Sequence, residues 1–211
     1  MDKTNSLYLV LGWLGAILSQ IIIWWNVRCH KKRDACLLLF SELRDIASRL
    51  IATYSKIQIH LGEHDKEALT WRSVMSKKYA DKQTWAIFKE FDEKIKSATD
   101  EEIKLASQIL KADGEISLSL KEYQLFSSNY ILENLSLFDS AFQKKILDIK
   151  FQVNVFNEEV KNAIYFYRLT FDVSSMNVNK DTILENMRST YLTLMKISRD
   201  ITEKIDGVLQ S

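Results

Sequence analysis

The stretch TNSLYLVLGWLGAILSQIIIWWNV, residues 4–27, is the most informative part of the sequence, because it runs for 24 residues without a charged side chain. As a helix it would span roughly 36 Å, which exceeds the ~30 Å hydrocarbon core of a bilayer. Its apolar part, Leu7–Trp25, is longer than the apolar stretch of about 7–15 residues in a signal peptide, and it ends in tryptophan rather than in small residues. The sequence therefore predicts an uncleaved transmembrane helix over residues 7–27.

Basic residues on one side of this stretch predict its orientation in the membrane. Lys3 stands before it, whereas a cluster follows it that consists of Arg28, Lys31, Lys32 and Arg33. Because the side richer in Lys and Arg stays in the cytoplasm, we expect residues 1–6 to lie outside and residues 28–211 to form a cytoplasmic domain, in a protein of the cell membrane. The same cluster can contact anionic headgroups, which makes membrane lipid an expected partner.

The rest of the chain has the composition and the spacing of helices. The whole chain of 211 residues contains no proline and only five glycines, and these two residue types are the main breakers of helix interiors. Apolar residues recur at alternating steps of three and four in residues 36–57 and again in 184–208, which is typical of coiled coils and packed helices. We therefore predict an all-α fold, in which the transmembrane helix continues as a long rod to Gly62 and an antiparallel multi-helix bundle follows.

Several further helices are predicted between and beside these two segments. One or two helices are expected within residues 66–97, and the broad apolar stripe of residues 139–171 predicts the central helix of the bundle. A polar stretch, residues 174–180, is expected to form a loop, with the last helix beginning near Asn179–Thr182.

Two pairs of residues have the spacing of a capping box, in which a Ser or Thr opens a helix and a Glu three residues later bonds back to it. Thr99 with Glu102 predicts one helix start. Ser119 with Glu122 predicts a second, at the head of a helix that carries Tyr123, Phe126 and Tyr130.

Composition and motifs argue against several classes of function. The net charge is +1, and basic and acidic residues are interleaved beyond the membrane edge, which is not the pattern of nucleic-acid binding. The chain has no phosphate-binding glycine loop, no dinucleotide-binding motif and no Cys-x-x-Cys pair. We expect no enzyme activity, no cofactor, no metal and no small-molecule substrate. Cys29 and Cys36 are expected to be free thiols, because the cytosol is reducing.

One catalytic pattern has to be weighed separately. The residues from His60 to His64, HLGEH, fit the H-x-x-E-H pattern of zinc hydrolases, which needs both histidines on one helix face and the glutamate as general base. Gly62 stands inside the pattern, where the rod is expected to end, and acidic residues follow at once. We interpret the segment as an exposed helix end and keep a zinc hydrolase as the least favoured alternative.

The transmembrane helix itself carries a pattern that favours helix association. Gly12 with Ala16, and Gly15 with Ser19, form two pairs of small residues four positions apart, which let two helix backbones approach closely. Gln20 lies in the second half of the span, where a side-chain amide prefers a partner helix to lipid. We therefore predict self-association through this face.

Together these features predict a membrane-anchored, non-enzymatic interaction protein: a scaffold, sensor or effector subunit that acts through protein contacts. Its expected partners are a second copy of itself or another membrane or cytoplasmic protein. The alternative is a pore-forming or membrane-perturbing effector, in which associated anchors and Gln20 line a leak path.

Overall fold

The computed structural model describes residues 3–62, 65–80, 85, 89, 93, 98–103, 105, 118, 120–126, 129–171 and 173–210, without the side chains of 3–10, 129 and 173–178. Every secondary-structure element in this part of the chain is helical, which confirms the predicted all-α class there. The elements are α1 (Lys3–Leu61), α2 (Lys66–Tyr79), α3 (Asn129–Asn134), a 3₁₀ turn (Leu135–Leu137), α4 (Ser140–Leu169) and α5 (Val173–Leu209).

Helix α1 is the long rod that the sequence predicts. It runs for 59 residues, or roughly 89 Å, and it ends where Gly62 adopts a φ of 67°. The Gly62 N–H donates to the carbonyls of Gln58 at 3.0 Å and Ile59 at 3.3 Å, so the glycine closes the last turn as a left-handed cap. Residues 11–34 are exposed, and Ala35 is the first buried residue among the described side chains of the helix.

The first part of α1 holds the segment for which the sequence predicts a transmembrane helix, residues 7–27. Over the described residues, no helix combines the length and the apolar character that a membrane crossing needs.

The core lies between α1, α4 and α5. Helices α4 and α5 form an antiparallel hairpin, because α5 begins four residues after α4 ends, and Asp148 of α4 contacts Lys204 of α5. The predicted apolar seams of α1 and α5 and the stripe of α4 supply the core. Its fully buried members include Leu39, Leu43, Leu50, Ile57, Ile146, Phe156, Val160, Leu194, Ile201 and Ile205.

Helix α2 covers α1 and α5 on another side of the bundle. Its N-cap Asp65 accepts a hydrogen bond from the Ala68 N–H at 2.6 Å. Near the start of α2, Glu67 pairs with Arg199 of α5 at 2.9 Å. Near the end of α2, Lys78 pairs with Asp206 of α5 at 2.7 Å. Because the residue numbers rise along both helices from the first pair to the second, α2 and α5 run in the same direction.

The predicted helix start at Thr99 is confirmed. The Thr99 N–H donates to a Glu102 carboxylate oxygen at 2.7 Å, and the Glu102 N–H donates to the Thr99 hydroxyl at 3.3 Å. This reciprocal pair is a capping box. It lowers the pKa of Glu102, since the ionised carboxylate accepts the Thr99 N–H.

Two local predictions were wrong. The expected helix through Tyr123 and Phe126 is absent, because residues 120–126 are not helical; of the predicted capping pair, Ser119 lies outside the described residues. The polar stretch expected as a loop is part of α5, although Asn179, at φ −136° and ψ 26°, interrupts the helical geometry where the last helix was predicted to begin.

Candidate functional site

Over residues 11–27, which we call the projection, α1 exposes apolar side chains around its whole circumference. Ile21–Trp25 alone provide five successive apolar side chains, and at 100° per residue they cover more than one full turn. Trp13 is 74% exposed and Trp25 62%. A helix that is hydrophobic on all sides is stable when lipid or protein surrounds it.

The predicted small residues share one face of this projection. Gly12, Gly15, Ala16 and Ser19 are spaced i, i+3, i+4 and i+7, which places them on one side of a helix. A Cβ atom built on Gly12 or Gly15 would meet nothing within 4 Å, so the face is open. The Ser19 hydroxyl donates to the Gly15 carbonyl at 2.8 Å and is satisfied within its own helix. Gln20 is exposed beside them.

The predicted basic residues lie between the apolar projection and the bundle, and two of them contact aromatic rings. The Arg28 guanidinium lies 5.3 Å from the ring centre of Trp24, one turn earlier. The Lys32 ammonium lies 5.6 Å from the ring centre of Phe138, which connects α1 to the start of α4. Lys31, Arg33 and the Cys29 thiol are exposed. Within the basic cluster, Arg28 therefore contacts a ring of the projection and Lys32 contacts the bundle. Lys31 and Arg33 are exposed to solvent.

The start of α4 is anchored close to this cluster. Asp139 is the N-cap, and its carboxylate accepts the Phe142 N–H at 2.8 Å. That hydrogen bond, helped by the positive charge of Lys32, lowers the pKa of Asp139. Lys32, which contacts Phe138 next to this N-cap, is five residues after Val27, within two helical turns of the last apolar residue of the projection.

A second feature was not anticipated from the sequence: residues 120–126 lie in a groove between α1 and α4. We call them the groove segment. Glu122 lies 3.9 Å from Lys161, and the ring of Phe126 lies 5.0 Å from the Lys150 ammonium. From Glu122 to Phe126 the groove segment therefore passes from the level of Lys161 to that of Lys150 on α4.

Side chains of the two helices bond three backbone groups of the groove segment. The Asn157 amide is bidentate: its oxygen accepts the Tyr123 N–H at 2.8 Å and its nitrogen donates to the Tyr123 carbonyl at 2.7 Å. The Phe126 N–H donates to Glu42 of α1 at 3.0 Å. This pattern resembles the way in which a bound peptide is held. Little in the sequence indicates this arrangement. The amide residue Asn157 stands four positions after Val153, beside the apolar stripe of α4.

The side chains of the groove segment anchor it. Tyr123, Leu125 and Phe126 are at most 9% exposed, and the Tyr123 ring stacks on Phe156 at 5.3 Å with 9° between the planes. Phe126 adopts a φ of 66°, the left-handed region, which costs an L-residue about 1–2 kcal/mol. The anchoring contacts therefore hold one residue in a strained conformation.

The hydroxyl of Tyr123 is buried at the bottom of the groove. It donates to the Arg49 carbonyl at 3.2 Å and lies 2.7 Å from the Thr53 hydroxyl, which then donates to it. Burial raises the pKa of Tyr123 above its ordinary value of 10.0, although the hydrogen bond from Thr53 and the charge of Arg49 lower it in part. Burial likewise raises the pKa of Tyr54 and of Tyr191.

These raised pKa values predict loss of stability at alkaline pH. Below pH 10.0 both states keep their tyrosines protonated; above it the unfolded chain ionises first, while the fold holds the protons. The free energy of unfolding should therefore be level up to about pH 9 and then fall by up to ~1.4 kcal/mol per pH unit for each such tyrosine. Urea titrations at several pH values measure this. Tyr123→Phe should make the slope shallower, whereas Tyr165→Phe, at a 58% exposed position, should leave it unchanged; equal slopes in both variants would contradict the assignment.

Of the H-x-x-E-H segment, only His60, Leu61 and Gly62 are among the described residues. Helix α1 ends at Leu61, before Glu63 and His64, and these two residues lie outside the described part. The His60 ring packs edge-on against Tyr191 at 5.5 Å. Within the described residues, no group of three or more His, Cys, Asp or Glu side chains is placed to hold a metal ion.

In comparisons with known proteins, this chain matches no family model, no curated protein and no solved structure.

Proposed function

We propose that this chain is a membrane-anchored helical interaction protein, a scaffold, sensor or effector subunit that works through protein contacts and self-association rather than catalysis. The observation that supports it most is the projection of α1, residues 11–27, which is exposed and apolar on all sides. Burying it in lipid would remove this apolar surface from water, a gain of about 25 cal/mol per Å².

The proposed span, residues 7–27, is longer than the part of it whose side chains are described. Residues 11–27 number 17, which gives a helix of about 26 Å, shorter than the ~30 Å hydrocarbon core. Residues 7–27 number 21 and give about 32 Å, which is long enough to cross that core.

The spacing between the apolar run and the bundle supports an anchor that holds the bundle against the membrane. Ala35, the first buried residue among the described side chains of α1, lies eight residues after Val27, or roughly 12 Å along the helix. The headgroup layer on each side of a bilayer is about 5–8 Å thick. The basic cluster would then occupy the headgroups and the water just below them, on the cytoplasmic side.

A reporter fused after Ser211 should be active in the cytoplasm, and activity only outside would overturn the orientation.

Self-association through the small-residue face can be tested by filling that face. In Gly12→Leu/Ala16→Leu the added side chains separate the backbones, and we expect dimerisation to weaken at least about tenfold, or ~1.4 kcal/mol. Chemical cross-linking of the full chain in mild detergent measures it. The matched control is Leu14→Phe/Ile21→Phe, which adds bulk on the opposite face and should leave the dimer intact. An unchanged dimer in the Gly12→Leu/Ala16→Leu variant would rule out this interface.

A further inference from the structure

We propose that the start of α4 is a second lipid contact of this chain, in which Lys144 and Lys145 bind anionic headgroups of the bilayer that holds the anchor. The proposal rests on the proposed membrane anchor and adds a surface of the helical bundle to it. The sequence alone does not indicate this surface, because the two lysines stand far from the basic cluster in the chain.

The first argument is the direction of α4. Three sets of contacts join α1 to α4 or to the residues just before it, either directly or through the groove segment: Lys32 with Phe138, Glu42 with Lys150 through Phe126, and Arg49 with Asn157 through Tyr123. The residue numbers rise along both helices from set to set, so α1 and α4 are parallel. Helix α4 therefore begins at the end of the bundle that lies nearest to the projection.

The second argument is the distance from the proposed span to the two lysines. Glu42 and Lys150 lie at about one level, since they contact the same residue of the groove segment. Lys144 comes six residues before Lys150, which places it at about the level of Cys36. That level is nine residues after Val27, or roughly 14 Å along the helix.

The lysine side chains shorten this distance. Side chains of a helix lean towards its N-terminus, which for α4 is the membrane side, and the four-carbon stem of a lysine reaches about 6 Å. The ammonium of Lys144 can therefore come within roughly 8 Å of the hydrocarbon core, at the outer edge of a headgroup layer about 5–8 Å thick. This distance is no greater than the Debye length of about 8–10 Å at 0.10–0.15 M salt, so headgroup charges attract the ammonium with little screening.

The third argument is that these two lysines are available. Both are exposed, and neither forms an ion pair among the residues that the structure describes. The Asp148 carboxylate, one turn further along α4, pairs with Lys204 of α5 instead. The other two lysines of α4, which lie farther from the projection, are engaged within the chain: Lys150 with the ring of Phe126, and Lys161 with Glu158 at 2.8 Å.

The charge of this end of the bundle complements an anionic surface. Residues 28–34 and 129–145, which include the basic cluster, α3 and the start of α4, contain six basic residues and three acidic ones. One of the acidic residues, Asp139, is engaged as the N-cap of α4. The whole chain has a net charge of only +1, so positive charge is concentrated at this end. Each basic residue close to an anionic bilayer strengthens binding about fivefold.

The test is to capture the lipid that lies beside the two lysines. A benzophenone amino acid replaces Ala141, which is exposed and precedes Lys144 and Lys145 by three and four residues, so that all three lie on one face of α4. The full chain is reconstituted into phosphatidylcholine vesicles that contain a minor fraction of phosphatidylserine, the vesicles are irradiated, and mass spectrometry identifies the lipid adducts. We expect phosphatidylserine among the adducts at least about fivefold above its fraction in the vesicles.

Two double variants assign this enrichment to the lysines. Lys144→Gln/Lys145→Gln should return phosphatidylserine among the adducts to its fraction in the vesicles. The matched control, Lys56→Gln/Lys196→Gln, removes the same two charges from exposed positions that lie farther from the span, and it should keep the enrichment. Lys56 stands 29 residues after Val27, roughly 44 Å along the helix and well beyond the Debye length.

The outcomes separate this lipid contact from the anchor on which it rests, because flotation of the same vesicles after an alkaline carbonate wash measures the anchor independently. If the chain floats but phosphatidylserine is not enriched, or if the enrichment survives in Lys144→Gln/Lys145→Gln, the lysine contact is wrong and the anchor stands. Equal losses in the two double variants would show a response to net charge alone and would also overturn the contact. If the chain does not float, the anchor and the lysine contact are both wrong.

Discussion

Replacing Leu14 and Leu18 by arginine is expected to release the chain from membranes. Both side chains are exposed on the projection of α1, and both lie in the middle of the uncharged run. A charge at mid-span costs about 2.5–3.5 kcal/mol on insertion scales. Two charges therefore cost about 5–7 kcal/mol, a factor of roughly 10⁴ or more in the insertion equilibrium. Fractionation of cells that express the variant, followed by immunodetection, measures the redistribution.

The matched control places the same charges on the same helix but beyond the basic cluster. Leu37 and Leu38 are 62% and 46% exposed, and they stand ten and eleven residues after Val27, outside the proposed span. Leu37→Arg/Leu38→Arg should stay in the membrane fraction. If both double variants remain with the membranes, or if both leave, the span is not the reason for the location.

Replacing Phe156 by alanine is expected to have the largest effect on the bundle. Phe156 is fully buried on α4, and its ring stacks on Tyr123 of the groove segment. Truncating a buried phenylalanine costs about 3–5 kcal/mol, from lost burial and from the cavity that remains. Most single domains have only about 5–15 kcal/mol of stability in total. The bundle should therefore lose a large part of its free energy of unfolding, measured by urea titration with circular dichroism in mild detergent.

The control for this loss is on the same helix. Phe151 is 66% exposed, so Phe151→Ala removes the same atoms from the surface and should change the free energy of unfolding by no more than about 0.5 kcal/mol. Equal losses in the two variants would contradict the placement of α4.

The sequence predicted best where structure follows from local pattern. The three-four spacing around Leu39 and Leu43 predicted the buried face of α1, because such spacing places residues on one side of a helix. Gly62 predicted where the rod ends, since a left-handed φ favours glycine. Thr99 and Glu102 predicted their capping box, because both partners lie within one turn.

The sequence predicted poorly where distant residues decide. The spacing of Tyr123 and Phe126 resembles a helix face, yet the bonds that fix their backbone come from Asn157 and Glu42, far away in the chain. Such partners give no local periodicity. For the same reason the groove could not be predicted, because the apolar, amide and charged side chains that line it are residue types found on any packed helix.

The most direct test of the membrane anchor is flotation of the full, unaltered chain on a density gradient after washing membranes with high salt and with alkaline carbonate. A contact made only by the basic cluster, such as Arg28 and Lys31 with anionic lipid, is screened by salt. An inserted apolar helix is not. The proposed anchor predicts that the chain floats with lipid after both washes. A chain that stays in the soluble fraction after either wash would contradict it.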